Sequence, residues 1–324
     1  MTDSMRFISQ SMHRLAKQWK LGALLYRFYY SPVEFVTQCT QKGAINLAID
    51  ARGRSLMEKA AYQLKPINVR SSTGIDVHFL TGAKFWYQTC FCAYSLTQQI
   101  QNCVRPIVYD DGSLTLPYQA EICRIFPNAI VVTQSQIVDR INQFLPQHRF
   151  PYLRERRQNY PNLRKLVDVH VGSHGWKLVL DSDMLFFRSP DFLLTWLQNP
   201  TRPCYMVDVE TSYGYSIDLM ALLCGQPIPD RVNVGICGLN SEHIDWEQLE
   251  YWCKTLIEQQ GTHYYQEQAL IAMLMAGRSC GVAPADEYRV MPDRAEAINP
   301  QAILHHYVAD SKSWYFRYGW KHFV

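Results

Sequence analysis

The chain has 324 residues, 48% of them hydrophobic and 13% aromatic, with a formal net charge of +3. That is enough apolar material for a sizeable core, which excludes a disordered chain, and the small charge lacks the concentrated Lys/Arg excess of a nucleic-acid footprint. Its ten cysteines show no Cys-x-x-Cys pair; they read as free thiols in a reducing compartment, and the expected location is cytoplasmic.

In chain order, "MHRLAKQWKLGALLYRFYY" (12–30) mixes Arg14, Lys17, Lys20 and Arg27 with Leu15, Trp19, Leu24 and Phe28. It lacks the continuous apolar stretch of a signal peptide or of a membrane span. Two readings stay open: a helix packed on the core with a solvated basic face, or an interfacial helix making peripheral contact with an anionic membrane. "IDVHFLTG" (75–82) reads as a strand, residues 83–100 as a helix, "RPIVYDDGSL" (105–114) as a strand ending in an Asp-Gly turn, and "NAIVVT" (128–133) as a strand. Residues 162–171 look helical, and "WKLVL" (176–180) is an apolar strand. Strands are expected at 202–209 and 231–240. A helix over 245–261 starts with a capping pair, Asp245 and Gln248, and buries Leu249, Trp252, Cys253, Leu256 and Ile257. "EQALIAMLMAG" gives a further helix closed by Gly277. This alternation predicts an α/β fold, a mainly parallel central sheet with helices on both faces. The expected division is an N-terminal helical extension, 1–70, and a catalytic-type domain, 71–324.

The strand "WKLVL" runs into Asp181-Ser182-Asp183. Uncompensated carboxylates are costly in a core, so the strand must end where the acids begin, and ligands of such sheets sit beyond the carboxyl ends of strands. Two carboxylates spaced i, i+2 can converge on one hard cation, Mn²⁺ or Mg²⁺, that keeps coordination sites for phosphate oxygens. Alone, Asp-x-Asp is also common on solvated loops.

The C-terminal "ILHHYVADSKSWYFRYGW" (303–320) adds His306, Lys312 and Trp314. With the strand ending in Asp-x-Asp, the pattern resembles the glycogenin and lipopolysaccharide galactosyltransferase group, retaining glycosyltransferases of the GT-A fold (family eight), which carry His-x(2)-Gly-x(2)-Lys-Pro-Trp near the end of the domain. The resemblance implies a GT-A nucleotide-diphospho-sugar transferase in which Asp181, Asp183 and His306 ligate the metal and Lys312 holds the diphosphate. Ala309 and Ser313 stand where the group has glycine and proline. It also implies that Lys165, sixteen residues before Asp181, contacts the donor together with Ser182. Asp208, Asn233, Glu267 and Gln268 would line the pocket of the transferred sugar and serve catalysis.

Other readings remain beside these. Lys165 also fits an exposed helix lysine, Asn233 a turn residue, and Glu267 a helix-start acid. Of the adjacent histidines, His305 reads as structural and His306 as the ligand; as strand neighbours they point apart, which argues against a shared zinc site. Phe85, Trp86 or Tyr87 could stack on the nucleotide base, with Thr81 hydrogen-bonding near it. Asp110 or Asp111 could bind ribose or base, and an Asp-Gly turn explains that pair equally well.

The expected activity is metal-dependent transfer of a sugar from a nucleotide-diphospho-sugar, a UDP-sugar, to a carbohydrate, lipid or protein acceptor with retention. The alternatives are a sugar-phosphate nucleotidyltransferase, disfavoured by a single glycine (Gly82) after the first strand, and a non-catalytic sugar- or nucleotide-binding scaffold.

Overall fold

The computed structural model describes residues 43–67, 74–100 and 104–324. The chain divides between Ser55 and Leu56, and the site described below lies wholly in the unit Leu56–Val324. The segment 12–30 and the expected boundary at 70/71 lie outside the described residues.

In order, the elements are α1 (Ala44–Ala61), β1 (Ile75–Thr81), α2 (Trp86–Gln99), β2 (Val104–Asp110), α3 (Leu116–Ile125), β3 (Ile130–Val132), α4 (Gln134–Phe144), α5 (Pro151–Asn159), α6 (Arg164–His170) and β4 (Trp176–Leu180). There follow β5 (Met184–Phe186), α7 (Asp191–Gln198), β6 (Cys204–Val207), α8 (Ile217–Cys224), β7 (Val232–Asn240), α9 (Trp246–Gln260), α10 (Gln266–Met275), β8 (Gly281–Ala283), β9 (Tyr288–Val290), α11 (Arg294–Ile298), β10 (Leu304–His306) and α12 (Lys312–Arg317).

Seven strands form the main sheet in the order β3-β2-β1-β4-β7-β6-β8. β7 pairs antiparallel with both β4 and β6, and the other pairs are parallel, so one strand runs against six. The expected α/β architecture with a mainly parallel sheet is thus present. Side-chain alternation along the strands splits the interior into two cores. Phe79, Val108, Leu178, Leu180 and Ile236 join α2 and α3 in one. Ile107, Tyr109, Val179, Val234 and Leu239 join α4, α5, α6, α9 and α10 in the other. Helices therefore cover both faces. On α9 the buried side is Leu249, Trp252, Cys253 and Leu256, and Asp245 caps the start by accepting from the Gln248 amide.

A second sheet, β5-β10-β9, positions the site. β5 begins at the residue directly after Asp183 and pairs antiparallel with β10, matching Met184 to His306. Residues far apart in sequence are set side by side by that register. The eight cysteines among the described residues are all free, and among those residues no helix is long and apolar enough to cross a membrane.

Candidate active site

Beyond the carboxyl ends of β1 and β4 opens a cleft of about 620 Å³, within the usual size range for a small-molecule site. Asp181, Ser182 and Asp183 line it, with Thr81, Phe85, Asp111, Lys165, Asp208, Asn233, Glu267, Gln268, His306 and Lys312. Of the residues singled out in the sequence for binding or catalysis, Trp86, Tyr87 and Asp110 do not. Helix α2 starts at Trp86 and carries both aromatic rings into the core, where Trp86 is fully buried and Tyr87 is 2% exposed. Phe85, at the helix N-cap, is left on the cleft.

Ligand atoms of Asp181, Asp183 and His306 all lie within 4.8 Å of one another. The His306 Nε2 is 3.6 Å from Asp181 Oδ2 and 3.3 Å from Asp183 Oδ1. Their outer oxygens face lysines: Lys165 Nζ is 2.6 Å from Asp181 Oδ1, and Lys312 Nζ is 3.1 Å from Asp183 Oδ2. Backbone bonds hold the arrangement, with the Asp181 amide donating to the Gly235 carbonyl at 2.9 Å and the Tyr307 amide to the Asp183 carbonyl at 2.9 Å. His306 is buried, and neither ring nitrogen has a hydrogen-bond partner. Buried polar atoms are rarely left so, and two carboxylates beside an unpaired imidazole are a donor set suited to Mn²⁺ or Mg²⁺. The ring also needs Gly235, because a Cβ there would lie 2.4 Å from His306 Cε1. His305, its neighbour, points away and is engaged, with Nδ1 2.9 Å from the Tyr307 hydroxyl and Nε2 2.8 Å from Glu296 Oε1.

The electrostatics are those of a paired, buried network. Burial pushes the Asp183 carboxyl up, but Lys312 and His306 outweigh it and hold the group below the ordinary carboxylate range. Asp183 in turn keeps the Lys312 ammonium charged beyond its usual range. Burial opposes the charge of Lys165, yet Asp181 and Glu267 together raise its pKa. Glu267 lies 3.4 Å from Lys165, and burial still pushes its carboxyl up to about 8 against that attraction.

A second network orders the catalytic candidates. Asp208 Oδ2 accepts from Asn233 Nδ2 at 2.9 Å and from Gln268 Nε2 at 3.3 Å, and the same Gln268 amide donates to the Ser212 carbonyl at 2.9 Å. Asn233 lies within strand β7 rather than in a turn, and its Oδ1 accepts from the Gly235 amide. At the β2 end, Asp110 is spent on the turn, taking the Gly112 and Leu114 amides. Asp111 lines the cleft, with Oδ1 bonded to Ser113. The Thr81 hydroxyl accepts from Thr89 at 2.8 Å.

Several lining residues escaped the sequence reading: Tyr160, Tyr264, Tyr265, Met291 and Val308. Tyr264 is 69% exposed, and the adjacent tyrosines just past the α9 stop signal Gly261 were the available hint. Met291 (φ 54°) and Ala309 (φ 47°), both on the cleft, adopt left-handed backbone. For residues with a Cβ that conformation is sparsely populated, and such positions cluster at functional sites.

No protein-family model matches the chain, and no curated protein does. Solved structures similar to it include several glycosyltransferases. The galactosyltransferase LgtC, in complex with donor and acceptor sugar analogues, is 15% identical over 76% of this chain and 93% of its own, with a TM-score of 0.47. The bifunctional WbbM, in its apo structure, is 10% identical over 76% of this chain and 47% of its own, with a TM-score of 0.47. Mouse xyloside xylosyltransferase 1, in its apo form, is 12% identical over 72% and 97%, with a TM-score of 0.45.

Proposed function

We propose that the chain is a metal-dependent glycosyltransferase of GT-A type that moves a sugar from a UDP-sugar to a carbohydrate, lipid or protein acceptor, with retention at the anomeric carbon. The observation that carries this reading is the convergence of Asp181, Asp183 and His306, whose buried Nε2 faces both carboxylates without a hydrogen bond, beside Lys312 in one cleft. Those three side chains would hold Mn²⁺ or Mg²⁺, which when bound offsets charge on a departing diphosphate. Lys312 offers an ammonium to the same leaving group, whose negative charge grows as the glycosidic bond breaks. Asp208, fixed by Asn233 and Gln268, and the Lys165–Glu267 pair face the transferred sugar. Phe85, Thr81, Asp111 and Ser182 line the part of the cleft assigned to the nucleotide. In a retaining transfer of this kind the acceptor attacks the face the diphosphate leaves, and a leaving oxygen takes its proton, so no separate strong acid is required.

The extension 1–70 ahead of the catalytic domain 71–324, a cytoplasmic location and peripheral membrane contact through the basic segment 12–30 belong to the same proposal. The free thiols support the reducing compartment.

Calorimetry of UDP binding with and without Mn²⁺ tests the reading. The parent protein should bind UDP in a Mn²⁺-dependent manner, and Asp183→Asn should lose that dependence while its circular dichroism and melting cooperativity stay those of the parent. Metal-linked UDP binding unchanged in Asp183→Asn would remove the metal site from the function.

A further inference from the structure

The groups assigned to the donor leave part of the cleft unused. Four large apolar side chains lining it stay open to solvent: Val209 (53% exposed), Tyr264 (69%), Tyr265 (39%) and Met291 (38%). Apolar groups gathered in one cleft, rather than scattered singly, mark a binding surface. Three of them share one wall, since residues 209–214 touch residues 263–268: the Gln268 amide donates to the Ser212 carbonyl at 2.9 Å, and His263 packs on Gly214, where a Cβ would lie 1.9 Å from its Nδ1. The tyrosines are held rigidly on this wall. The Tyr160 hydroxyl donates to the Tyr264 carbonyl, the Tyr265 amide donates to His263 Nδ1 at 3.3 Å, and the His263 and Tyr265 rings stack with centroids 5.7 Å apart. Tyr264 is thus fixed at its backbone while most of its ring is bare. Its phenol lies close enough to Lys312 to bear on the charge of that ammonium, which puts the ring beside the group assigned to the departing diphosphate. In a transfer with retention the acceptor comes in on that same side. The charges disfavour an anionic acceptor. Among the described residues lining the cleft the lysine and arginine side chains are Lys165 and Lys312 alone, both set against aspartates, and the wall adds the exposed carboxylate of Glu210, which accepts from the Ser212 hydroxyl at 3.5 Å.

We propose that this wall is the acceptor subsite and that the acceptor it takes is an uncharged saccharide, stacked by the C–H face of a sugar ring on the open face of Tyr264 and hydrogen-bonded through its hydroxyls to Glu210. The inference rests on the transferase reading above, which left carbohydrate, lipid and protein acceptors open, and deepens it by naming the class. A rigid aromatic ring offers a flat apolar face at low entropic cost, which is what a sugar ring can use. A lipid chain would gain nothing from that ring over an aliphatic side chain of like size. A phosphorylated or uronic-acid acceptor would meet Glu210 with no lysine or arginine of the wall to offset the repulsion.

The test is saturation-transfer NMR on the full chain without nucleotide. The neutral probes are the methyl glycosides of glucose, galactose, mannose and xylose with lactose and maltose, and the anionic probes are methyl glucuronide and glucose 6-phosphate. At least one neutral probe should bind, and more tightly than either anionic one. Tyr264→Ala and Tyr264→Leu should weaken that probe by at least ~10-fold, the scale of one lost ring contact, whereas Tyr264→Phe should keep it. Each variant retains the backbone carbonyl that Tyr160 holds, and its melting curve should match the parent. Failure of every neutral probe to bind, or stronger binding of an anionic probe, overturns the inference. So does a Tyr264→Ala or Tyr264→Leu protein that binds as well as the parent, the Leu result marking a contact of the kind a lipid chain makes. UDP takes no part in these measurements. Failure of the donor reading shows instead as absent Mn²⁺-dependent UDP binding in the calorimetry above, so the two failures are told apart.

Discussion

At Lys312 the question is whether the ammonium holds the ground state or the departing diphosphate. Its contact with Asp183 keeps it charged and aimed into the cleft, where leaving-group charge would strengthen the interaction as the bond breaks. Lys312→Ala should therefore lower kcat by on the order of 10²-fold, the scale of one preorganised donor at a developing anion, and saturating donor should not restore it. Steady-state kinetics in which KM alone changes would make the residue a ground-state clamp. Lys312→Arg should recover only part, since a planar fork does not replace a compact point charge. His305 and His306 show how far residue type alone leads. Adjacent in sequence, they diverge because strand neighbours face opposite sides, one into a closed bond pair with Glu296 and Tyr307, the other onto the acids.

Among the elements, the short link from β10 to α12 holds one of the three described non-glycine residues with left-handed backbone, Ala309. Ala309 stands where the resemblance calls for glycine, and the backbone keeps the left-handed conformation that glycine adopts freely, at φ 47°. Ala309→Gly should accordingly stabilise the protein by up to about 1 kcal/mol, and Ala309→Val should destabilise it. Thermal melts of the two variants check this, and equal Tm values would mean that the link relaxes at no cost. Ser313, in the first turn of α12, occupies a place where proline is tolerated, so that departure leaves the helix intact. Helix α4 went unread although its start signal was present. Thr133 and Gln136 form a full capping box, but the apolar periodicity behind it is carried by only two buried residues, Ile137 and Ile141.

For the whole molecule, acid stability follows from two histidines away from the cleft. Burial, helped by Lys177 nearby, holds His78 at about 3, and burial, helped by His78 and Lys177, holds His170 at about 3. Both folded values lie below the unfolded value of roughly 6.5, so the unfolded chain binds more protons across that window. Their contribution is complete above about pH 6.5 and is lost as pH falls towards 3. Glu267 has the opposite sign: its folded value of about 8 exceeds the unfolded one, so it adds stability as pH falls. A direct comparison isolates the histidine term. The Tm of His170→Gln relative to the parent should rise steadily as pH is lowered from 6.5 to 4, and a difference independent of pH would show that His170 does not titrate on unfolding.

Composition and local pattern determined the α/β class, the strands leading to the acids, the caps of α9 and the identity of the acidic, basic and imidazole groups that chemistry of this kind needs. Those features are short-range, set by side-chain alternation, helical period and capping within a few residues. Tertiary structure decided which of them meet. Strand β10 reaches the acids through its antiparallel register with β5, β7 alone runs against the main sheet and brings Gly235 beside Asp181, and the start of α2 turns Tyr87 inward while leaving Phe85 on the cleft. None of this could be read locally, because pairing between strands far apart in the chain, Leu180 with Ile236 and Met184 with His306, is settled by the global fit of two cores around one sheet, and a one-residue shift in register would send His306 to the other face.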